Sequence, residues 1–299
     1  MNKRPFIFIL SVVLAIGCLI GVGLTYMVSG SDSVPQPPRQ TIREAEALRV
    51  ARERPPQVVE SDIELAVDQE ETASIAVDEV VVAGALILPP VLPGLVENGP
   101  REAPQVALTF DLCERDRDSA GFDEKIVRIL QEMDVKATFF MGGKWAETHP
   151  DAARMLGAEG LFEMANHSYS HKLFTEISGD EMKSQVLKAQ DSIRRHTDAT
   201  PRYFRYPAGA YNDVALRVVA DCGLIPIQWD VVTGDPDPNV KAAAMIREVK
   251  SRARNGSIII MHANGRGRHT AEALPTIIDE LRGKGFELVM VSELLGEGS

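Results

Sequence analysis

Cysteine is scarce in this sequence, with three among 299 residues and one of those within the first 20. That excludes the disulfide framework by which small secreted scaffolds hold together, so whatever folds here relies on its own core. Basic residues are outnumbered, 32 Lys and Arg against 43 Asp and Glu, for a net charge of −11. Nucleic-acid phosphates are bound by clustered Lys and Arg, so no nucleic-acid partner is expected. Aromatic residues make up only 6% of the chain, and residues 31–103 contain none, nor any lysine. That stretch instead holds nine of the 18 prolines, 14 acidic side chains and six arginines. It cannot bury enough apolar surface to offset its ordering entropy and reads as a mostly disordered, acidic spacer. Residues 41–49 could form a helix before Pro55-Pro56, and the apolar run 80–88 could be a strand or a docking segment.

What is present divides the rest. Residues 6–28 carry no charge for 23 positions and follow Lys3 and Arg4. At about 1.5 Å per residue this spans a bilayer's hydrocarbon core, and positive flanks stay cytoplasmic. The length favours an uncleaved transmembrane anchor (residues 1–30) over a cleaved signal sequence or a lipoprotein processed at Cys18, since signal h-regions run about 7–15 residues. All three place the bulk of the chain beyond the inner membrane, and the first makes it single-pass with a cytoplasmic N-terminus.

From residue 104 onward, short apolar runs alternate with segments of helical period, as a parallel β/α architecture requires. Strands are expected at 105–110, 137–141, 162–166, 203–206, 225–230, 257–261 and 286–291. Helices are expected near 124–133, 150–158, 180–196, 213–221, 240–254 and 271–282. Seven strands in residues 104–299 predict an α/β fold, a shortened, irregular (β/α)7 barrel, whose chemistry sits at the strand carboxyl ends. Reactive side chains do cluster there: Asp111 after the first strand, His167 and His171 after the third, Arg205 at the end of the fourth, Asp230 ending the fifth and His262 the sixth. Two imidazoles four residues apart on a helical turn suit cis ligation of a Zn-type ion. His149, His196 and His269 lack that setting and read as exposed helix-end or loop residues. Cys113 at the top of the barrel and Cys222 at its bottom are expected to be free thiols.

These pieces resemble, in order, the motifs of the polysaccharide deacetylase family with the NodB homology domain, carbohydrate esterase family 4: Leu108-Thr109-Phe110-Asp111, Asn166-His167-Ser168-Tyr169-Ser170-His171, Arg205-Tyr206-Pro207-Ala208-Gly209, Gln228-Trp229-Asp230 through Asp235, and Ile259-Ile260-Met261-His262. The resemblance covers roughly residues 105–295. It implies a divalent metal, Zn with Co or Mn as alternatives, held by His167 and His171. It implies Asp111 as general base, Arg205 as its tether and His262 as general acid. The reaction implied is hydrolysis of N-acetyl groups on an N-acetylglucosamine-containing polymer such as peptidoglycan, with release of acetate.

Two departures stand out. Where the family has a second Asp as third metal ligand, this chain has Leu112, in Asp111-Leu112-Cys113-Glu114; Glu114 is the expected substitute, with Cys113 or water as alternatives. Where the family has an Asp tuning the acid His, this chain has Val232. Asp230, two residues earlier on the same strand face, is expected to take the role, with Asp235 second. Two other functions stay open: an inactive glycan-binding or scaffolding protein that has lost its third ligand, and a metal hydrolase of a small amide.

Overall fold

The computed structural model describes residues 94–296. The expected anchor, most of the spacer, and the segments 41–49 and 80–88 lie outside the described residues. Among those described, no helix is long and apolar enough to cross a membrane.

Eight short parallel strands form a barrel-like sheet: β1 (Gln105–Leu112), β2 (Ala137–Met141), β3 (Phe162–Asn166), β4 (Tyr203–Phe204), β5 (Ile225–Pro226), β6 (Val231–Val232), β7 (Ile258–His262) and β8 (Glu287–Leu288). They lie in the order β5-β4-β3-β2-β1-β7-β6, while β8 pairs with the first residues of β1. Helices α1 (Glu124–Glu132), α2 (Gly143–Thr148), α3 (Pro150–Ala158), α4 (Gly179–Thr197), α5 (Asp213–Asp221), α6 (Ala242–Arg252), α7 (Thr270–Gly283) and α8 (Val291–Leu294) connect them. The parallel α/β architecture is as expected, and β2 and β3 have the expected limits.

The expected strand 225–230 is split, and the split has a cause. Its first half pairs with β4 and its continuation pairs with β7, so one segment peels from one neighbour to the next. Backbone groups exposed at that seam need partners. Residues assigned to the spacer supply them: Val96 donates to the Pro226 carbonyl and accepts from Gln228 N–H, and Gly99 donates to Gly256. Val96 and Gly99 are thus hydrogen-bonded into the folded body.

Strand β1 shows how the sheet sorts side chains. Val106, Leu108, Phe110 and Leu112 are fully buried in the core shared with α1 and α7, against Ile126, Leu130 and Ile277. Ala107 faces the barrel interior with Phe140, Ala165, Tyr203 and Ile258. The period of two then puts Asp111 and Cys113 on the interior side and Leu112 on the helix side. Burying Leu112 contributes about 1.5–3 kcal/mol to the fold, which explains an apolar residue there.

Helix α4 braces the third strand's loop. Met182, Val186, Ala189 and Ile193 bury one face at helical spacing, and Ser178 caps its start by accepting from Glu181 N–H. On that face Gln185 accepts from Ser170 N–H, and the Val186 carbonyl accepts from the Asn166 amide.

Candidate active site

Parallel pairing sets Asp111 of β1 directly opposite His262 of β7. Neighbouring strands lie about 4.8 Å apart, so a carboxylate and an imidazole are placed side by side at the sheet's carboxyl edge.

Arg205, fully buried just beyond β4, holds the carboxylate. Its Nη1 donates to Asp111 Oδ1 at 2.8 Å and its Nη2 to the Gln228 carbonyl at 3.1 Å. The guanidinium lies over the Phe140 ring, 3.7 Å from its centroid, with Trp229 at 5.4 Å. Trp229 thus flanks the guanidinium while packing on the interior core. Burial alone would push the Asp111 pKa up; the charges of His167, Arg205 and His262, with the Arg205 hydrogen bond, outweigh it and hold the carboxyl below its ordinary value.

The segment His167 to His171 is not a helical turn, contrary to the expectation. Ser168 and His171 adopt left-handed backbone, with φ of 63° and 57°. Such conformations cost a non-glycine residue energy and persist where surroundings over-determine them. Here Asn166 Oδ1 accepts from Ser168 N–H at 2.9 Å and Ser168 Oγ from His171 N–H at 3.2 Å. His167 Nδ1 lies 2.9 Å from the Arg205 carbonyl. A carbonyl only accepts, so Nδ1 carries the proton and Nε2, 3.4 Å from Asp111 Oδ2, keeps its lone pair inward. Burial lowers the pKa of His167 and holds that of His171 well below its ordinary value.

The third ligand position differs from expectation. Glu114 is turned away: its Oε2 accepts from Thr148 Oγ1 at 2.8 Å and its Oε1 lies 3.7 Å from Lys144 Nζ. Cys113, one residue earlier and on the same strand face as Asp111, is brought to the histidines instead. Ligand atoms of Cys113, His167 and His171 all lie within 4.8 Å of one another. One sulfur and two imidazole nitrogens fit a borderline divalent cation. Nδ1 of His171 is buried without a hydrogen-bond partner, an orphan that such a cation would satisfy. Without one, burial pushes the Cys113 thiol up to about 12.

The residue that tunes His262 also differs. Asp230 accepts from Arg101 Nη2 at 2.8 Å, Ser257 Oγ at 3.0 Å and Ile258 N–H at 2.9 Å, at the opposite end of β7. Register explains this. Val231 and Val232 pair with Ile259 and Ile260, so the residue level with His262 lies near 234, and Asp230 falls about 13 Å short along the strand. Asp235, the second candidate, makes the contact: its Oδ1 lies 2.9 Å from His262 Nδ1. Thr270 Oγ1 donates to its other oxygen at 2.9 Å, and a side chain at Gly267 would collide with both groups. Burial alone would lower the His262 pKa; the Asp235 charge and hydrogen bond outweigh it and raise the pKa.

His149, His196 and His269 stay apart from the site, bonded to Thr148, Ser192 and Glu272. Cys113 and Cys222 are free thiols. Sequence reasoning missed Asn264, whose amide donates to the Cys113 carbonyl at 2.8 Å and to its sulfur at 3.2 Å. The signal was available: Asn264 follows His262 by two residues, on the same strand face.

Comparison with known proteins gives the family. A family model described as polysaccharide deacetylase matches residues 98–227. A peptidoglycan-N-acetylglucosamine deacetylase of Bacillus cereus is 31% identical over 199 residues, covering 66% of this chain and 70% of that one. The chain belongs to the polysaccharide deacetylase family. Within this family, carbohydrate esterase family 4 (CE4), a solved pseudoenzyme from Bacillus anthracis is similar at TM-score 0.62 and 29% identity, over 69% of this chain and 70% of that one. A mutant of that protein with restored enzymatic activity is similar at TM-score 0.61 and 31% identity, over 69% and 72%. The uncharacterized protein YlxY of Bacillus subtilis is 31% identical over 177 residues, 58% of this chain and about half, 53%, of that relative.

Proposed function

We propose that this chain is a metal-dependent N-deacetylase of an N-acetylglucosamine-containing polysaccharide, peptidoglycan or a similar polymer, releasing acetate and a free amino sugar. The observation that carries the reading is the pairing of two tethered proton carriers across one strand ladder, Asp111 held by Arg205 and His262 held by Asp235. A binding module has no use for a tethered base and a tethered acid beside a cluster of metal-ligating atoms.

A divalent cation at His167, His171 and a third ligand at the top of β1 would polarise the N-acetyl carbonyl and the attacking water. Asp111, held ionised, accepts the water proton. His262 shares its Nδ1 with Asp235, leaving Nε2–H to protonate the departing amine. Arg205 keeps the carboxylate aimed and charged. Water adds its oxygen to the acyl carbon and gives one proton to Asp111; the C–N bond breaks as His262 gives its Nε2 proton to the amine nitrogen, acetic acid leaves and ionises to acetate, and the proton on Asp111 returns to His262 to reset the pair. We further propose an inner-membrane, single-pass location with the catalytic part extracytoplasmic, supported by the uncharged run 6–28 behind Lys3 and Arg4.

The test is acetate release from N-acetylated peptidoglycan by the full chain with Zn, Co or Mn, beside Asp111→Asn and a chelated sample. We expect the variant to lose on the order of 10²–10⁴-fold and the chelated sample to lose activity that metal restores. If the parent chain releases no more acetate than the variant under every metal, the enzymatic reading falls. Glycan binding without release would then favour the pseudoenzyme, a kind of protein already present among its structural neighbours.

A further inference from the structure

We propose that the cation of this chain is held in a thiolate site, Cys113 with His167 and His171, and that Asn264 is the positioning residue for the sulfur; this rests on the metal-dependent reading above. The three ligand atoms come from two strand ends and already lie within 4.8 Å of one another. Tetrahedral ligands around a zinc-sized ion stand roughly 3.3–3.6 Å apart, a separation small side-chain rotations reach.

The neighbouring groups leave the sulfur as third ligand. Leu112 is buried in the helix-side core. Glu114 is engaged by Thr148 and Lys144, and Asp111 by Arg205. On the other side of the site, His171 Nδ1 is buried with no partner, and His167 presents Nε2 because Nδ1 is committed to a carbonyl.

The sulfur has a built cradle. Asn264 is 2% exposed, a burial an amide tolerates only when its hydrogen bonds are met. Its oxygen accepts from Arg266 N–H at 3.3 Å, which fixes which end of the amide is NH₂ and aims that end at Cys113. From there it donates to both the Cys113 carbonyl and the sulfur, at 2.8 and 3.2 Å. The backbone carbonyl of Asn264 accepts from Gly121 N–H at 3.0 Å, tying the loop beyond β7 to the loop beyond β1. An N–H aimed at sulfur favours thiolate over thiol and moderates its donation to a metal, the function of groups that orient metal ligands elsewhere.

The experiment is Co(II) loading of the full chain, read by absorption and by metal affinity. The parent chain is expected to show a near-ultraviolet sulfur-to-cobalt charge-transfer band. Cys113→Asp should bind cobalt without that band, with Cys113→Ser in its place should the first variant not fold. Glu114→Gln should keep the band and the affinity. Asn264→Leu should shift the band and weaken affinity about 10–100-fold. A cobalt-loaded parent chain without the band, or a band that survives in both Cys113 variants, overturns the thiolate site. An Asn264→Leu band and affinity equal to the parent's removes Asn264 from its role. Acetate release without the band sinks this site and leaves the deacetylase standing; the band without acetate release does the reverse.

Discussion

Asp235 grips His262 at two points: one carboxylate oxygen lies 2.9 Å from the ring Nδ1 and the other accepts the residue's own backbone N–H at 2.6 Å. The ring is thereby fixed in orientation as well as in charge. In the proposed reaction His262 acts protonated, so the rate falls as pH rises through its pKa. The raised pKa carries activity to higher pH, and Asp235→Asn should move that descending limb to lower pH and cut kcat by about 10–100-fold. An unchanged limb in the kcat profile would remove His262 as the acid.

Arg205 and Asp111 give the complementary limb. Asp111 acts ionised, so the rate rises as pH climbs through a pKa that Arg205 helps to depress. Arg205→Lys substitutes a point charge for a fork that reaches both Asp111 and Gln228. The ascending limb should shift to higher pH, with kcat/KM lower by roughly 100-fold (about 2.7 kcal/mol). The measurement is the pH dependence of kcat/KM for both forms.

Asp230 binds Arg101, Ser257 and Ile258 far from the acid histidine. Asp230→Asn should therefore lower stability by about 1–3 kcal/mol while leaving both limbs of the pH profile in place. Denaturant midpoints and the same kinetic series check this. A displaced alkaline limb would restore Asp230 to the site.

Placing an aspartate where the family has its third ligand should not build one here. Leu112 packs against the helices, so Leu112→Asp would bury an unpaired carboxylate. The expected result is a loss of more than about 3 kcal/mol, enough to empty the folded state of a marginally stable protein. Circular dichroism and soluble yield report it, and a folded Leu112→Asp chain with tighter metal binding would contradict the strand register.

The segment 94–103 completes the seam between β5 and β7. Deleting it from a chain that begins at residue 94 should cost several hydrogen bonds at about 1 kcal/mol each, including those of Val96, Gly99 and Arg101. Comparing unfolding midpoints of chains beginning at 94 and at 104 tests this; equal midpoints would make the segment a bystander.

Periodicity made the parallel α/β architecture legible, because strands buried on both faces read as continuous apolar runs and their helices as amphipathic ones. The placement of Asp111, His167, Arg205 and His262 followed from the rule that such sheets present chemistry at their carboxyl ends. What stayed hidden was register and loop course. Asp230 and Asp235 cannot be told apart until Val231 is seen opposite Ile259. Glu114 looked the better ligand by chemistry, yet the alternation along β1 carried Cys113 inward, and Thr148 and Lys144 captured Glu114. The loop from His167 to His171 misled because its course is held by side-chain contacts that spacing does not show, Asn166 accepting from Ser168 N–H and the distant Gln185 from Ser170 N–H.

Gly94 shares a surface hollow with Gly223, Leu224 and Ile225, beside the first residues of β5. Asp111, His167 and His262 occupy the other rim of the sheet, where strands end. Val96, two residues on, is bonded to Pro226 and Gln228, so the first described residues are fastened to the sheet on the side away from Asp111, His167 and His262.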